Sequence, residues 1–326
     1  MRVFVAGHRG MVGQALLRGF SSREGVEVIT APREQLDLRD QSAVAHFMRR
    51  ERPDTVILAA ARVGGIWANH SYPVEFLSDN MRIAFNVISA AHGADVRQLI
   101  NLGSSCIYPR GAPQPIPEEA LLTGALEPTN EAYALAKIAA INLCDSYNRQ
   151  YGTDFRSLMP ANLYGRGDNF HPQEAHVLPA LLQRFHDAAR KGAKTVQVWG
   201  TGQVRREFLH VDDLARACLF VLDLPAARFH SALSGPRAIL NVGSGRDITI
   251  AQLAKAIARV TGFQGRIEFD PSKPDGTPRK CLDVRRMSDL GWQAQLSLEE
   301  GLAQTYEWFV AQSQSGLRGL PQELCA

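Results

Sequence analysis

Two hydrophobic rhythms alternate through the first half of the chain. Short runs, Arg2–Ala6, Val26–Thr30, Thr55–Ala61, Gln98–Leu102 and Asp154–Met159, are apolar at most positions, as strands are when both faces of a sheet are covered. Between them, the stretch up to about Phe20, then Gln41–Arg50, Asn80–His92 and the segment ending near Tyr151 place apolar residues at helical spacing. This βαβ order predicts an α/β fold with a doubly wound parallel sheet and a ligand at the C-terminal ends of its strands.

After Gly165 the rhythm breaks. Polar GRGDNFHPQEAH leads to a helix from about Val177, and Val196–Trp199 is a further strand. Phe208–Val211 predicts a short strand, with Asp212 as the N-cap of a helix returning to the first domain. Leu240–Gly245 reads as strand and turn, Thr249–Thr261 as an amphipathic helix, and Leu298–Gln312 as the last helix. The division expected is therefore 1–165 plus about 207–235 for the sheet domain. A smaller, discontinuous α/β lobe takes about 166–206 and 236–312, and 313–326 form a frayed tail. Pro-rich Arg110–Leu122 is expected as a loop over the site.

Composition narrows the class. At 326 residues the chain is long for one core. A net charge of +3, with no basic run interleaved with aromatics, speaks against nucleic acid and is compatible with a small anionic ligand. No apolar run reaches the ~18 residues of a membrane span, and MRVFVAG reads as a strand rather than a leader. Five scattered cysteines without CxxC spacing suit reduced thiols in a cytoplasm, not zinc or a disulfide framework.

Three segments carry candidate chemistry. The first is the turn after the first strand, with Gly7, His8, Arg9, Gly10, Met11, Val12 and Gly13 in GxxGxxG spacing. Such glycines let a backbone approach a pyrophosphate lying on a helix N-terminus. The end of strand two offers Arg33 where NAD-binding chains carry an acid. Arg9 and Arg33 aimed at a ribose 2′-phosphate would select NADP(H), with Asp37 and Leu38 near the adenine. The second segment, LGSSCIYP, brings Leu102, Gly103, Ser104, Ser105 and Cys106 to a strand end. In the third, Tyr133 and Lys137 stand at i and i+4 of one helix face, where the ammonium is expected to lower the phenol. A hydroxyl to hold a carbonyl, an acid to protonate the alkoxide and a cation to tune that acid make a carbonyl reductase.

The glycine turn, YxxxK with its upstream Ser104, PANLYG, REFLHVDDLA and NVGSG together resemble the extended short-chain dehydrogenase/reductase family of nucleotide-sugar enzymes, from Arg2 to about Phe309. SSCIYP and KPDGTPRK point to the members that act on GDP-sugars. The resemblance implies a Rossmann domain, NADP(H) and a homodimer through helices of that domain. It also implies a GDP-sugar substrate, GDP-4-keto-6-deoxy-D-mannose, epimerised at carbons three and five and then reduced at carbon four to GDP-L-fucose. It assigns epimerisation to Cys106 and His176, and reduction to Ser104, Tyr133 and Lys137. Lys137, Pro160, Ala161, Asn162, Leu163 and His176 join the cofactor residues. Arg184, Trp199, Arg206, Asp275 and Lys280 join the substrate. A 4-epimerase or 4,6-dehydratase that keeps its NAD would instead want an acid after strand two. A non-catalytic sensor on the same fold would usually have lost Tyr133 or Lys137.

Overall fold

The computed structural model describes residues 1–314 apart from 172–174, 234, 236 and 274. The expected tail lies, from 315 on, outside the described residues. In chain order the first elements are β1 (Arg2–Ala6), α1 (Met11–Phe20), β2 (Glu27–Ile29), α2 (Gln41–Glu51), β3 (Thr55–Leu58), α3 (Ile66–Ser71), α4 (Pro73–Gly93) and β4 (Gln98–Leu102). Then come α5 (Glu131–Tyr151), β5 (Asp154–Pro160), β6 (Asn162–Tyr164), α6 (Val177–Arg190), β7 (Thr195–Trp199), β8 (Arg205–His210) and α7 (Val211–Asp223). The chain continues with α8 (Ala226–Ser231), β9 (Ile239–Val242), β10 (Asp247–Thr249), α9 (Ile250–Thr261), β11 (Arg266–Asp270), β12 (Arg279–Lys280), α10 (Arg285–Leu290) and α11 (Leu298–Gln314).

Six strands make one parallel sheet, ordered β2-β1-β3-β4-β5-β9. Alternate residues of each strand serve opposite layers. Val3, Val5 and Ile57 face α1 and α7, with Leu16, Leu214 and Val221. Phe4, Ala6, Val56 and Leu58 face α2, α4 and α5, with Phe47, Ile88 and Cys144. Each large side chain so buried contributes about 1.5–3 kcal/mol, which explains why these strands lack the polar alternation of a one-sided sheet. Arg156 is buried in β5, yet satisfied: Nη2 donates to Asp154 at 2.6 Å and Nη1 to the carbonyls of Val221 and Leu224. It fastens the C-terminal end of α7 to the sheet.

A third core, with Phe185, Val198, Phe208, Leu253 and Phe309, joins α6, β7, α9 and α11. No helix among the described residues is long and apolar enough to cross a membrane.

Several expectations shift. The strand expected inside the lobe at Leu240 is β9, paired with β5 in the main sheet, and Leu282, Met287 and Trp292 pack into the first core. Residues 236–312 are thus divided between the sheet domain and the lobe, because Ile239–Val242 is buried on both faces within the main sheet. The Pro-rich stretch is no open loop. Ile116, Ala120 and Leu121 are buried, and Ile116 exchanges backbone hydrogen bonds with Cys281 and Asp283. The cap of α7 is His210, whose Nδ1 accepts the Asp212 N–H. Asp212 lies in the first turn and pairs with Arg18 of α1 at 2.6 Å. Helix α4 begins at Pro73, ahead of the expected Asn80, since proline suits the first helical turn.

Candidate active site

From the adjacent strands β1 and β3 the chain departs in opposite directions, opening a crevice beyond their C-terminal ends. Gly7 turns there at φ +90°, and a Cβ on it would lie 2.7 Å from the Ala60 backbone. A Cβ on Gly13 would collide with the Gly7 carbonyl. Gly10 then opens α1 with no side-chain cap and no acid in the first turn. A cradle with free N–H groups at the positive end of a helix fits a pyrophosphate. Met11 and Val12 root the turn in the first core, and His8 is held below its ordinary value by burial and by Arg9.

The positive charge expected beyond β2 is present. Arg33 is 69% exposed, with Asp37 3.9 Å away, while Arg9 donates to Glu34 at 2.9 Å. Asp37 is engaged by Arg39 at 2.7 Å, which brings its carboxyl down to about 2. Leu38 packs on the second core, and its carbonyl accepts from Asn86. Sequence reasoning missed Arg39, which nothing in its spacing marks.

The second and third segments meet at the end of β4. Gly103 has no room for a side chain beside Met159, so the chain passes close to β5. Ser104 Oγ accepts the Cys106 N–H at 3.2 Å and shapes a tight turn over Ser105–Ile107, with Ser105 buried. Tyr133 on α5 faces Ser104 and lies beside Cys106, near enough to both to be influenced by them. Lys137, one turn on, donates to the Leu102 carbonyl at 2.7 Å and holds its ammonium 5.8 Å from the Tyr133 ring centre.

One expectation is corrected here. Burial, then Cys106, push the Tyr133 phenol up, and the nearby Lys137 ammonium does not outweigh them. The ammonium lies over the ring, engaged with a carbonyl. Burial itself brings Lys137 down to about 8. The phenol therefore keeps its proton at neutral pH, as an acid must before it is used.

Cys106 is half-buried and receives the Lys280 ammonium at 3.5 Å. His176 is the N-cap residue of α6. Its residue surface is open to solvent, yet the protein packed around it first, and Lys280 second, hold its imidazole below the ordinary value. Lys280 thus contacts the thiol and lies within electrostatic reach of the imidazole, and Tyr133 lies near both the thiol and Ser104. Pro160 closes β5, the Ala161 N–H donates to Val242 at 2.9 Å, and Leu163 packs on the first core. Asn162 Nδ2 donates to the Glu207 carbonyl at 2.7 Å.

Lys280 lies in register with Arg206 across the β12–β8 pair. Burial lowers the Arg206 guanidinium, while Asp275 and Glu127 oppose that. Asp275 accepts both the N–H and the hydroxyl of Thr201, at 2.8 and 2.7 Å, so it is tethered to the Gly200 turn. Farther out, Trp199 is 62% exposed. Its ring has the Arg184 guanidinium at 5.9 Å and the Lys273 ammonium at 5.7 Å. Exposed cation–π contacts of about 0.5–1 kcal/mol do not compensate an indole left this open, so this end of the cleft is suited to a planar anionic ligand. Lys273 went unnoticed in the sequence. So did Glu127, which accepts from Thr277 and pairs with Arg110.

Residues 3–243 match the NAD dependent epimerase/dehydratase family. The chain is 55% identical to the GDP-L-fucose synthase of Escherichia coli (strain K12), over 98% of this chain and 99% of that one. Among solved structures, it is similar to a GDP-6-OMe-4-keto-L-xylo-heptose reductase from C. jejuni, with TM-score 0.88, 34% identity and coverage of 95% and 98%. A GDP-L-fucose synthetase from Naegleria fowleri bound to NADP superimposes with TM-score 0.85 at 26% identity, covering 97% and 96%.

Proposed function

The chain belongs to the NAD dependent epimerase/dehydratase family, and from that membership and the cleft we propose that it converts GDP-4-keto-6-deoxy-D-mannose to GDP-L-fucose with NADPH. The observation that carries this reading is the half-buried Cys106 thiol, held by Lys280 beside Tyr133 and close to the end of α6 that bears His176. A reductase alone needs Ser104, Tyr133 and Lys137. A thiol and a neutral imidazole around the same place add a base and an acid for carbon.

The chemistry follows from one placement of the ketone. Its oxygen lies between the Ser104 and Tyr133 hydroxyls. Their hydrogen bonds strengthen as negative charge develops there, so removal of a proton from either neighbouring carbon becomes easier. Cys106 and His176 serve opposite faces of the sugar ring, one taking the proton and the other returning it inverted. Lys280 holds charge that develops on the sulfur. Bound NADPH would supply hydride to the ketone carbon. Tyr133 then protonates the alkoxide, and Lys137 steadies the phenolate left behind. Arg206 and Lys280 suit the diphosphate, Trp199 with Arg184 the base, and the tethered Asp275 fixes the turn between them.

Incubation with NADPH and GDP-4-keto-6-deoxy-D-mannose in deuterium oxide tests this directly. NADPH absorbance should fall, and the product should carry deuterium at carbons three and five. Cofactor consumption without deuterium would leave a simple reductase. An NAD-retaining epimerase is disfavoured by the residues past Ile29, where Arg33 stands and the first carboxylate, Glu34, is paired with Arg9. Arg33→Ala should weaken NADPH binding roughly tenfold, a charge-assisted hydrogen bond's worth, with NADH affinity unchanged. An unaltered ratio in a fluorescence titration would return Arg33 to the solvent surface.

We also propose a cytoplasmic homodimer. Val74 and Phe85 of α4 and Leu135 of α5 are large apolar side chains left exposed on two packed helices. The four cysteines among the described residues are free thiols. Sedimentation at twice the chain mass is the check.

A further inference from the structure

The Glu207 carboxylate has no part in the chemistry above, yet it is 1% exposed and fully engaged. It belongs to β8, next to Arg206. Since strand side chains alternate, it points away from the face that Arg206 and Lys280 share. Its Oε2 accepts the Leu282 N–H at 2.7 Å. Its Oε1 accepts the Gly245 N–H at 2.7 Å, with the Ser244 hydroxyl at 3.4 Å. The space it fills exists because residue 243 is glycine: a Cβ there would collide with Oε1. This accounts for the NVGSG segment: its first glycine makes room for the buried carboxylate, and its second turns the chain at φ +68° and donates its N–H to it.

Leu282 lies two residues past Lys280. The peptide between them is gripped from the other side, where Gln114 Oε1 accepts the Cys281 N–H at 2.9 Å and the Ile116 N–H donates to the Cys281 carbonyl at 2.8 Å. Lys280 therefore leaves a strand whose continuation is clamped between the Pro-rich stretch around Gln114–Ile116 and Glu207. It spans from there to the Cys106 sulfur at 3.5 Å.

We propose that Glu207 is a positioning residue for the epimerisation half of the reaction: by binding Leu282 and Gly245 together, its carboxylate sets where Lys280 meets Cys106. The two oxygens take N–H donors from different segments, so an amide in its place presents an NH2 to one of them and releases that anchor. A displacement of about 1 Å at a reacting group can lower a rate roughly 100-fold. This inference rests on the epimerase reading of Cys106.

The test measures deuterium wash-in at carbons three and five with NADP+ bound, so that reduction is absent. In Glu207→Gln we expect wash-in at least tenfold slower, with NADPH affinity within twofold of the parent. Gly243→Ala, which pushes the carboxylate from the opposite side, should do the same and serves if the glutamine variant does not fold. In a Lys280→Ala background, Glu207→Gln should add less than twofold, because the two act through one contact. Parental wash-in in both variants, or an equal further loss on top of Lys280→Ala, overturns the proposal. Absence of wash-in in the parent protein would instead end the epimerase reading on which it stands.

Discussion

Tyr133→Phe should suppress hydride transfer by roughly 10²–10⁴-fold, the usual contribution of a positioned proton donor, without weakening NADPH binding. The aromatic ring remains, and with it the edge contact to Phe76 at 6.3 Å and the Lys137 ammonium over its face. What goes is the hydroxyl that faces Ser104 and lies beside Cys106. Burial keeps that hydroxyl protonated until the alkoxide forms, so no other group at this point can replace it. Ser104 has only a hydroxyl far too weak in acidity, and Lys137 is occupied by the Leu102 carbonyl. Lys137 adds a pH signature. Burial brings it down to about 8, so its charge, which steadies the phenolate, is present below that pH and lost as pH rises through it. Hydride transfer by the parent protein should decline above about pH 8, in single-turnover absorbance traces. A Phe variant that transfers hydride at the parental rate would remove Tyr133 from the mechanism.

The parallel sheet was legible because burial on both faces leaves a simple trace: Val3–Ala6 and Val56–Leu58 have no polar position for solvent to claim. The glycine turn and the Tyr133–Lys137 pair were legible because local geometry dictates their residue types, through positive φ in one and helical spacing in the other. The boundary of the lobe was not. Ile239–Val242 is apolar like any strand, and nothing local says which sheet will accept it; pairing with β5 is a long-range event. The same holds for the phenol. Spacing placed Lys137 next to Tyr133 but showed neither the burial that raises the phenol nor the Leu102 carbonyl that takes up the ammonium. Lys280 was expected at the substrate, and the sequence shows no sign that it reaches Cys106, 174 residues away. Glu207 and Asn241 were passed over because buried polar residues take their meaning from partners. Asn241 accepts from Tyr108 at 2.6 Å and donates to the Ile116 and Asp283 carbonyls, fastening the Pro-rich stretch and the Lys280 segment to β9.

Cys106→Ser should slow deuterium wash-in by about 10²–10⁴-fold while NADPH affinity stays within twofold. A serine hydroxyl fits the space and can still receive the Lys280 ammonium. Its proton is far harder to remove than a thiol's, so it is a poor base towards carbon. The cofactor cradle around Gly7, Gly10 and Gly13 lies at the end of β1 and depends on no atom of Cys106. Reduction therefore separates from epimerisation. Offered the ketone already inverted at carbons three and five, the serine variant should consume NADPH within severalfold of the parental rate, because Ser104, Tyr133 and Lys137 are intact. His176→Gln should behave alike in wash-in, since inversion needs both faces served. Cys106→Ser differs from Tyr133→Phe in one decisive respect: it spares hydride transfer. Should Cys106→Ser lose both activities in equal measure on their separate substrates, the thiol would be shaping the site through Ser104 and the turn at Ser105–Ile107, and the base would have to be sought elsewhere in the cleft.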